Sequence, residues 1–96
     1  MTITKTVNEE ETILKIEGWL DTQSAPEVEK EVKELDEATK SLVMDLSGLE
    51  YIASSGVRQV VAAYKKMKGQ FKVVGATEAI MSIFKATGLD KKIHFE

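Results

Sequence analysis

The sequence predicts a small α/β domain: a mixed sheet of four to five strands with flanking helices. Three observations predict it. Leu42-Val43-Met44-Asp45-Leu46 is a nearly unbroken apolar run, the pattern of a strand covered on both faces. From that run to the C-terminus, strand-like and helix-like patterns alternate, and such units favour right-handed crossovers and a parallel sheet. Ahead of it, two alternating stretches read as a hairpin, and an antiparallel pair makes the sheet mixed.

Taken in order, Ile3-Thr4-Lys5-Thr6-Val7 is the first strand, Asn8-Glu9-Glu10-Glu11 a charged turn and Thr12-Ile13-Leu14-Lys15-Ile16-Glu17 the returning strand. Gly18-Trp19-Leu20-Asp21 closes the hairpin, and the pattern leaves Trp19 open between core and surface. Thr22-Gln23-Ser24 leads into a helix. Ser24 and Glu27 have capping-box spacing, and Pro26 falls in the first turn, where its missing N–H costs nothing. Val28, Val32 and Leu35 form the apolar stripe of that helix, and Glu29, Lys30, Glu31, Lys33 and Glu34 its solvated side. After the central strand and a short loop, Ser54 sits where an N-cap belongs, with Ser55 and Gly56 as the first helical residues. Val57, Val60, Val61, Tyr64 and Met67 recur at helical spacing, and Gly69 stops the helix. Phe71-Lys72-Val73-Val74-Gly75 is the fourth strand. A third helix opens at Ala76 or Thr77, carries Ile80, Met81, Ile83 and Phe84, and ends at Gly88. Lys92-Ile93-His94-Phe95 is a short closing strand.

Ninety-six residues are expected to form one domain, 1–96, large enough for a single core. Cysteine is absent, so disulfides and thiolate metal sites are excluded, and a cytoplasmic location is expected. No apolar run approaches the roughly 18–20 residues that span a bilayer. The net charge is −3 and the largest basic group is Lys65-Lys66 with Lys68, which argues against nucleic acid as a partner. That cluster suits the negative end of a helix dipole.

Ser54 and Ser55 admit three readings. Serine at a helix start is commonly just a cap, contributing about 1 kcal/mol. It is also a position where phosphate is tolerated beside the positive helix end, adding close to two negative charges against a docking partner. Gly56, without a side chain, would let a partner's backbone approach. Nucleophilic catalysis is the third reading, but it needs a base, and His94 is the only histidine. Ala53-Ser54-Ser55-Gly56 is not a nucleophile elbow. Asp21 and Asp45 at strand ends suggest a Mg²⁺ pair for aspartyl phosphorylation, yet Gly18-Trp19-Leu20-Asp21 offers one acid where two are needed, so turn and cap roles are favoured. No phosphate loop is present, and no cofactor is expected.

Four stretches carry a family likeness. Gly18-Trp19-Leu20-Asp21 looks like a G-x-L/I-D segment after a second strand, and Leu42 to Leu49 like a central strand and loop. Tyr51-Ile52-Ala53-Ser54-Ser55-Gly56-Val57-Arg58 is similar to the signature aromatic-apolar-D/S-S-S/T/A-G-L/V, and Ala86-Thr87-Gly88-Leu89-Asp90-Lys91-Lys92-Ile93 to a closing small-residue/Gly-Leu segment. In this order they resemble the STAS domain, the fold of the bacterial anti-sigma factor antagonists. The resemblance implies helices largely on one side of the sheet and no catalysis by the domain itself. It also implies a switch, in which the unphosphorylated domain binds an anti-sigma factor serine kinase. That kinase phosphorylates the first signature serine, here Ser54 with Ser55 as alternative, and a phosphatase resets it. Asp21, Ser54, Ser55, Gly56, Val57 and Arg58 would then face the partner. Ala53 stands where many antagonists carry Asp, and a non-phosphorylated STAS subunit of a transporter or stress-signalling complex is the other role the resemblance allows.

Overall fold

The computed structural model describes residues 1–35 and 38–96. Its elements follow the order β1 (Thr2–Asn8), β2 (Glu11–Leu20), α1 (Ala25–Lys33), β3 (Ser41–Asp45), β4 (Leu49–Ile52), α2 (Ser54–Lys66), β5 (Phe71–Val74), α3 (Glu78–Ala86), a single 3-10 turn (Leu89–Lys91) and β6 (His94–Phe95). The strands form one six-stranded sheet in the order β1-β2-β3-β5-β6, with β4 paired to β2. Only β1 and β2 run antiparallel; β3, β4, β5 and β6 each join a neighbour in parallel.

Two differences from the expected elements shape the site. The segment after β3 is not all loop. Leu49–Ile52 is a sixth strand among the described residues, one more than the upper end of the expected range, and it pairs with Gly18–Leu20 of β2, beyond the Glu11–Lys15 stretch that pairs with β3. β2 itself does not end at Glu17 but continues to Leu20. Gly18 takes φ +89, where an L side chain is strained, and the register with β4 shifts between Gly18 and Trp19. The glycine therefore marks a bulge within the strand rather than its end.

Alternation along the strands sorts the two faces of the sheet. Leu14, Ile16, Leu42, Met44, Phe71 and Val73 belong to one buried cluster together with Val28 and Val32 of α1, Val60 and Ala63 of α2, and Ile80 and Phe84 of α3. The intervening residues Ile13, Val43 and Val74 lie outside that cluster, so all the described helices cover one face. β3 is therefore not sandwiched between helical layers, as its apolar run suggested. Val43 is nonetheless buried on the open face, where Ile13 of β2 and Lys72 of β5 flank it. Each fully buried large side chain contributes about 1.5–3 kcal/mol to holding helices on sheet. Among the described residues Thr12 is the buried polar one, and its hydroxyl lies 3.3 Å from that of Thr39.

The inward stripe of α2 keeps Val60 and Met67 with Val57 and Tyr64 packed at its edges, gains Gly56 and Ala63, and loses Val61. Gly56, Val60, Ala63 and Met67 are buried, whereas Val57, Val61 and Tyr64 are half-buried. In α3, Ile80 and Phe84 are buried, Met81 and Ile83 flank them, and Thr77 caps the helix by accepting from the Ile80 N–H. The basic end of α2 does more than complement its own dipole: the Lys66 Nζ donates to the Val32 carbonyl (2.6 Å) and the Lys33 carbonyl (3.3 Å), closing the C-terminus of α1.

Gly56 fixes how closely α2 sits on the sheet. A Cβ there would lie 2.7 Å from the Leu20 Cγ, 2.8 Å from the Ile52 Cγ1 and 3.0 Å from the Leu20 carbonyl oxygen. The side-chain-free edge faces the chain's own strands, not a partner's backbone as the sequence suggested. Gly56→Ala should lower stability by about 1–3 kcal/mol despite alanine's better helix propensity, because the overpacked contacts are buried strand residues. Urea unfolding checks this; a stabilised Gly56→Ala variant would mean that the helix start can lift off the strands without loss.

Candidate functional site

β2 and β4 run side by side and end together at Leu20 and Ile52. The Asp21–Ser24 loop and the Ala53 cap with the first turn of α2 therefore emerge next to each other at the carboxyl ends of parallel strands. That is where open α/β sheets place their binding crevices. The Ala53 N–H donates to the Leu20 carbonyl (2.9 Å), extending the strand pairing by one rung. The Thr22 and Ser55 hydroxyl oxygens lie 3.2 Å apart and bridge the loops again.

Because Ala53 is held in strand-like geometry (φ −91, ψ 170), it is the N-cap of α2, and Ser54 is the first helical residue. This corrects the cap role expected for Ser54. The Gly56 and Val57 N–H groups both donate to the Ala53 carbonyl, at 2.9 and 3.0 Å, so the helical count starts at 54. Ser54 is exposed, and its hydroxyl makes no hydrogen bond among the described residues. Ser55 is half-buried with its hydroxyl against Thr22, Gly56 is buried, Val57 is half-buried and Arg58 is exposed.

Asp21 is committed to its own loop. Its Oδ1 accepts from the Gln23 N–H, the Ser24 N–H and the Ser24 hydroxyl, each at 3.0 Å. The Ser24 backbone and side-chain hydrogen bonds hold its carboxyl below the usual aspartate range. The expected Ser24–Glu27 capping box does not form. The Ser24 hydroxyl turns back to accept from the Asp21 N–H (2.9 Å) and reaches the Trp19 carbonyl (2.9 Å), leaving the N-cap position of α1 without a side-chain cap. Asp45 likewise serves a turn, accepting from the Ser47 N–H at 2.9 Å. That bond, foremost, lowers its pKa.

Trp19 is resolved as exposed (58%). It packs against Tyr51 (44% exposed), with ring centroids 5.1 Å apart and the planes tilted by 42°, just before these two segments. The sequence left Trp19 undecided and gave no sign of the pairing, since the strand that carries Tyr51 was itself unseen. His94 stands on β6, the edge opposite β1, with Nε2 2.9 Å from the Glu96 Oε2. It is not a base for Ser54. Among the described residues no group of three His, Cys, Asp or Glu could hold a metal, and no helix is long and apolar enough to cross a membrane. The arrangement offers an exposed, unengaged hydroxyl, an arginine one turn further on, and an aromatic pair below.

The N-cap alanine yields a sharp expectation. Its backbone is already in the conformation that capping side chains use, and an aspartate there would accept from the first N–H groups of α2. Ala53→Asp should stabilise the chain by about 1 kcal/mol and raise Tm by about 4–8 °C. Differential scanning calorimetry reads it, and an unchanged or lower Tm would show that the first turn of α2 has no unmet donor.

Comparison with known proteins places this geometry. An anti-sigma factor antagonist from Mycobacterium paratuberculosis superposes with a TM-score of 0.87 at 27% identity, over 98% of this chain and 83% of that one. The Thermotoga maritima protein TM1081 gives 0.88 at 20% identity, over 97% and 84%. The Bacillus cell fate determinant SpoIIAA, in its phosphorylated form, gives 0.78 at 16% identity, over 99% and 91%. The last two show likeness of fold. The STAS domain family model matches residues 2–96. The chain belongs to the STAS domain family.

Proposed function

We propose that this STAS domain, taken as one unit over residues 1–96, is a cytoplasmic anti-sigma factor antagonist. Unphosphorylated, it binds an anti-sigma factor serine kinase; phosphate on Ser54, transferred from ATP by that kinase, switches it off, and a phosphatase restores it. The domain is a binding module with no catalysis and no cofactor of its own, and nucleic acid is not its partner.

The observation that carries this reading is the Ser54 hydroxyl, exposed and unengaged at the start of α2, beside the Asp21 loop. A helix start is also where an added phosphate does least harm to the fold. Asp21, Ser54, Val57 and Arg58 make up the partner face. Gly56 acts from beneath, by letting α2 seat on Leu20 and Ile52. Ser55 is the lesser acceptor because Thr22 holds its hydroxyl. The phosphorylated SpoIIAA fold supports the view that this architecture accommodates phosphate.

Incubation with a candidate kinase and ATP, followed by mass-spectrometric mapping, should give one phosphate on Ser54, absent from Ser54→Ala and retained in Ser55→Ala. Absence of phosphate, or equal labelling of Ser54→Ala, would contradict the switch. Ala53, lacking the carboxylate of many antagonists, favours a second reading, a STAS subunit that is not phosphorylated and serves a transporter or stress-signalling assembly. Co-purification of unlabelled chain with such an assembly would support that reading instead.

A further inference from the structure

One stripe of α2 is left unused by the core. Ser54, Arg58, Val61 and Lys65 fall at i, i+4, i+7 and i+11, on the side away from Val60 and Ala63. Val57, Arg58, Val61, Ala62 and Lys65 line a mainly apolar groove of about 340 Å³ along it. The groove has a cation at each end. Lys66 is spent on the carbonyls of α1, whereas neither Arg58 nor Lys65 has an ion pair or side-chain hydrogen bond among the described residues.

We propose that Arg58 reads the phosphorylation state of Ser54. Unmodified, Ser54 has nothing to hold the guanidinium, and Arg58 with Lys65 offers the groove to an acidic, apolar segment of the partner kinase. Once phosphate is on Ser54, Arg58 is drawn one turn back and pairs with it. Residues four apart on a helix are neighbours, and long side chains favour leaning toward the helix N-terminus, which puts a phosphate on Ser54 within reach of Arg58. A phosphoserine presents close to two negative charges and three acceptor oxygens, which a guanidinium fork matches with two parallel hydrogen bonds. Modification then repels an acidic partner and also removes the cation that would have received it. This inference rests on the reading of Ser54 as the phosphate acceptor.

Two measurements test it separately. In the first, the chain carrying phosphoserine at position 54 is titrated by ³¹P NMR at low salt, alongside Arg58→Gln and Arg58→Lys versions. The second phosphate pKa should rise by about 0.3 unit in Arg58→Gln, with much of the rise reversed in Arg58→Lys. The same pKa in Arg58→Gln as in the unaltered chain overturns the pairing, and it does so whether or not any kinase binds. In the second, Lys65→Glu, three turns from the acceptor, should bind the kinase at least about tenfold more weakly than the unaltered chain. Equal affinity overturns the groove as the receiving surface. A kinase that binds neither form contradicts the antagonist reading and the groove's occupant together, and leaves the phosphate–arginine pairing to the NMR result.

Discussion

The contact of Gly56 with Leu20 and Ile52 is the constraint on which the rest depends. Two parallel strands must end level, and the following helix must start without a side chain at its third residue, or the loops cannot stand side by side. With Cβ distances of 2.7 and 2.8 Å to buried side chains, any other residue there forces Leu20, Ile52 or α2 itself to shift. The Ala53–Leu20 hydrogen bond and the Thr22–Ser55 contact then lock the loops in register. Exposure of Ser54 follows from this seating: with Gly56 turned inward, residues 54 and 58 turn out.

The same geometry separates polar groups engaged in turns from unengaged ones. Asp21, Asp45 and Ser24 are half-buried and their oxygens are used by neighbouring backbone, so Asp21 can take part in the partner face only by holding its loop in shape. The Ser54 hydroxyl and the Arg58 and Lys65 side chains are not used in this way. A group that is exposed, ordered by its helix and unengaged is free to meet another molecule, and this contrast within one small surface supports a protein-docking role over a catalytic one.

Much of this was legible in the sequence, and the failures have physical causes. The β3 run and the alternation of Thr12 to Glu17 are strong local patterns, so the sheet and its mixed character were readable. β4 was missed because Leu49 and Ile52 are buried while Glu50 and Tyr51 between them are exposed, a four-residue pattern with no period of two. Its pairing with β2 depends on a bulge at Gly18, and a glycine in a strand pattern reads equally well as an end. The start of α2 was found one residue late because serine is the commoner cap. What makes Ala53 the cap is a hydrogen bond to residue 20, which no local window contains. Ser24 misled for a similar reason, its hydroxyl being taken by Asp21. The inward stripe was misjudged because Ala63 carries too little hydrophobic weight to compete with Val61, although only the smaller residue faces the sheet. Motif order carried the family, and its choice of residues 54 to 58 and Asp21 as the partner face rests on that resemblance, while the packing role of Gly56 needed coordinates.

On the proposed function, a phosphate at residue 54 governs whether this surface is available to a kinase. Calorimetric titration of the unmodified chain and of the chain bearing phosphoserine at that position, each into the same anti-sigma factor kinase, tests it directly. The unmodified chain should bind saturably and the phosphorylated one at least about tenfold more weakly. Equal affinities for the two forms would contradict it.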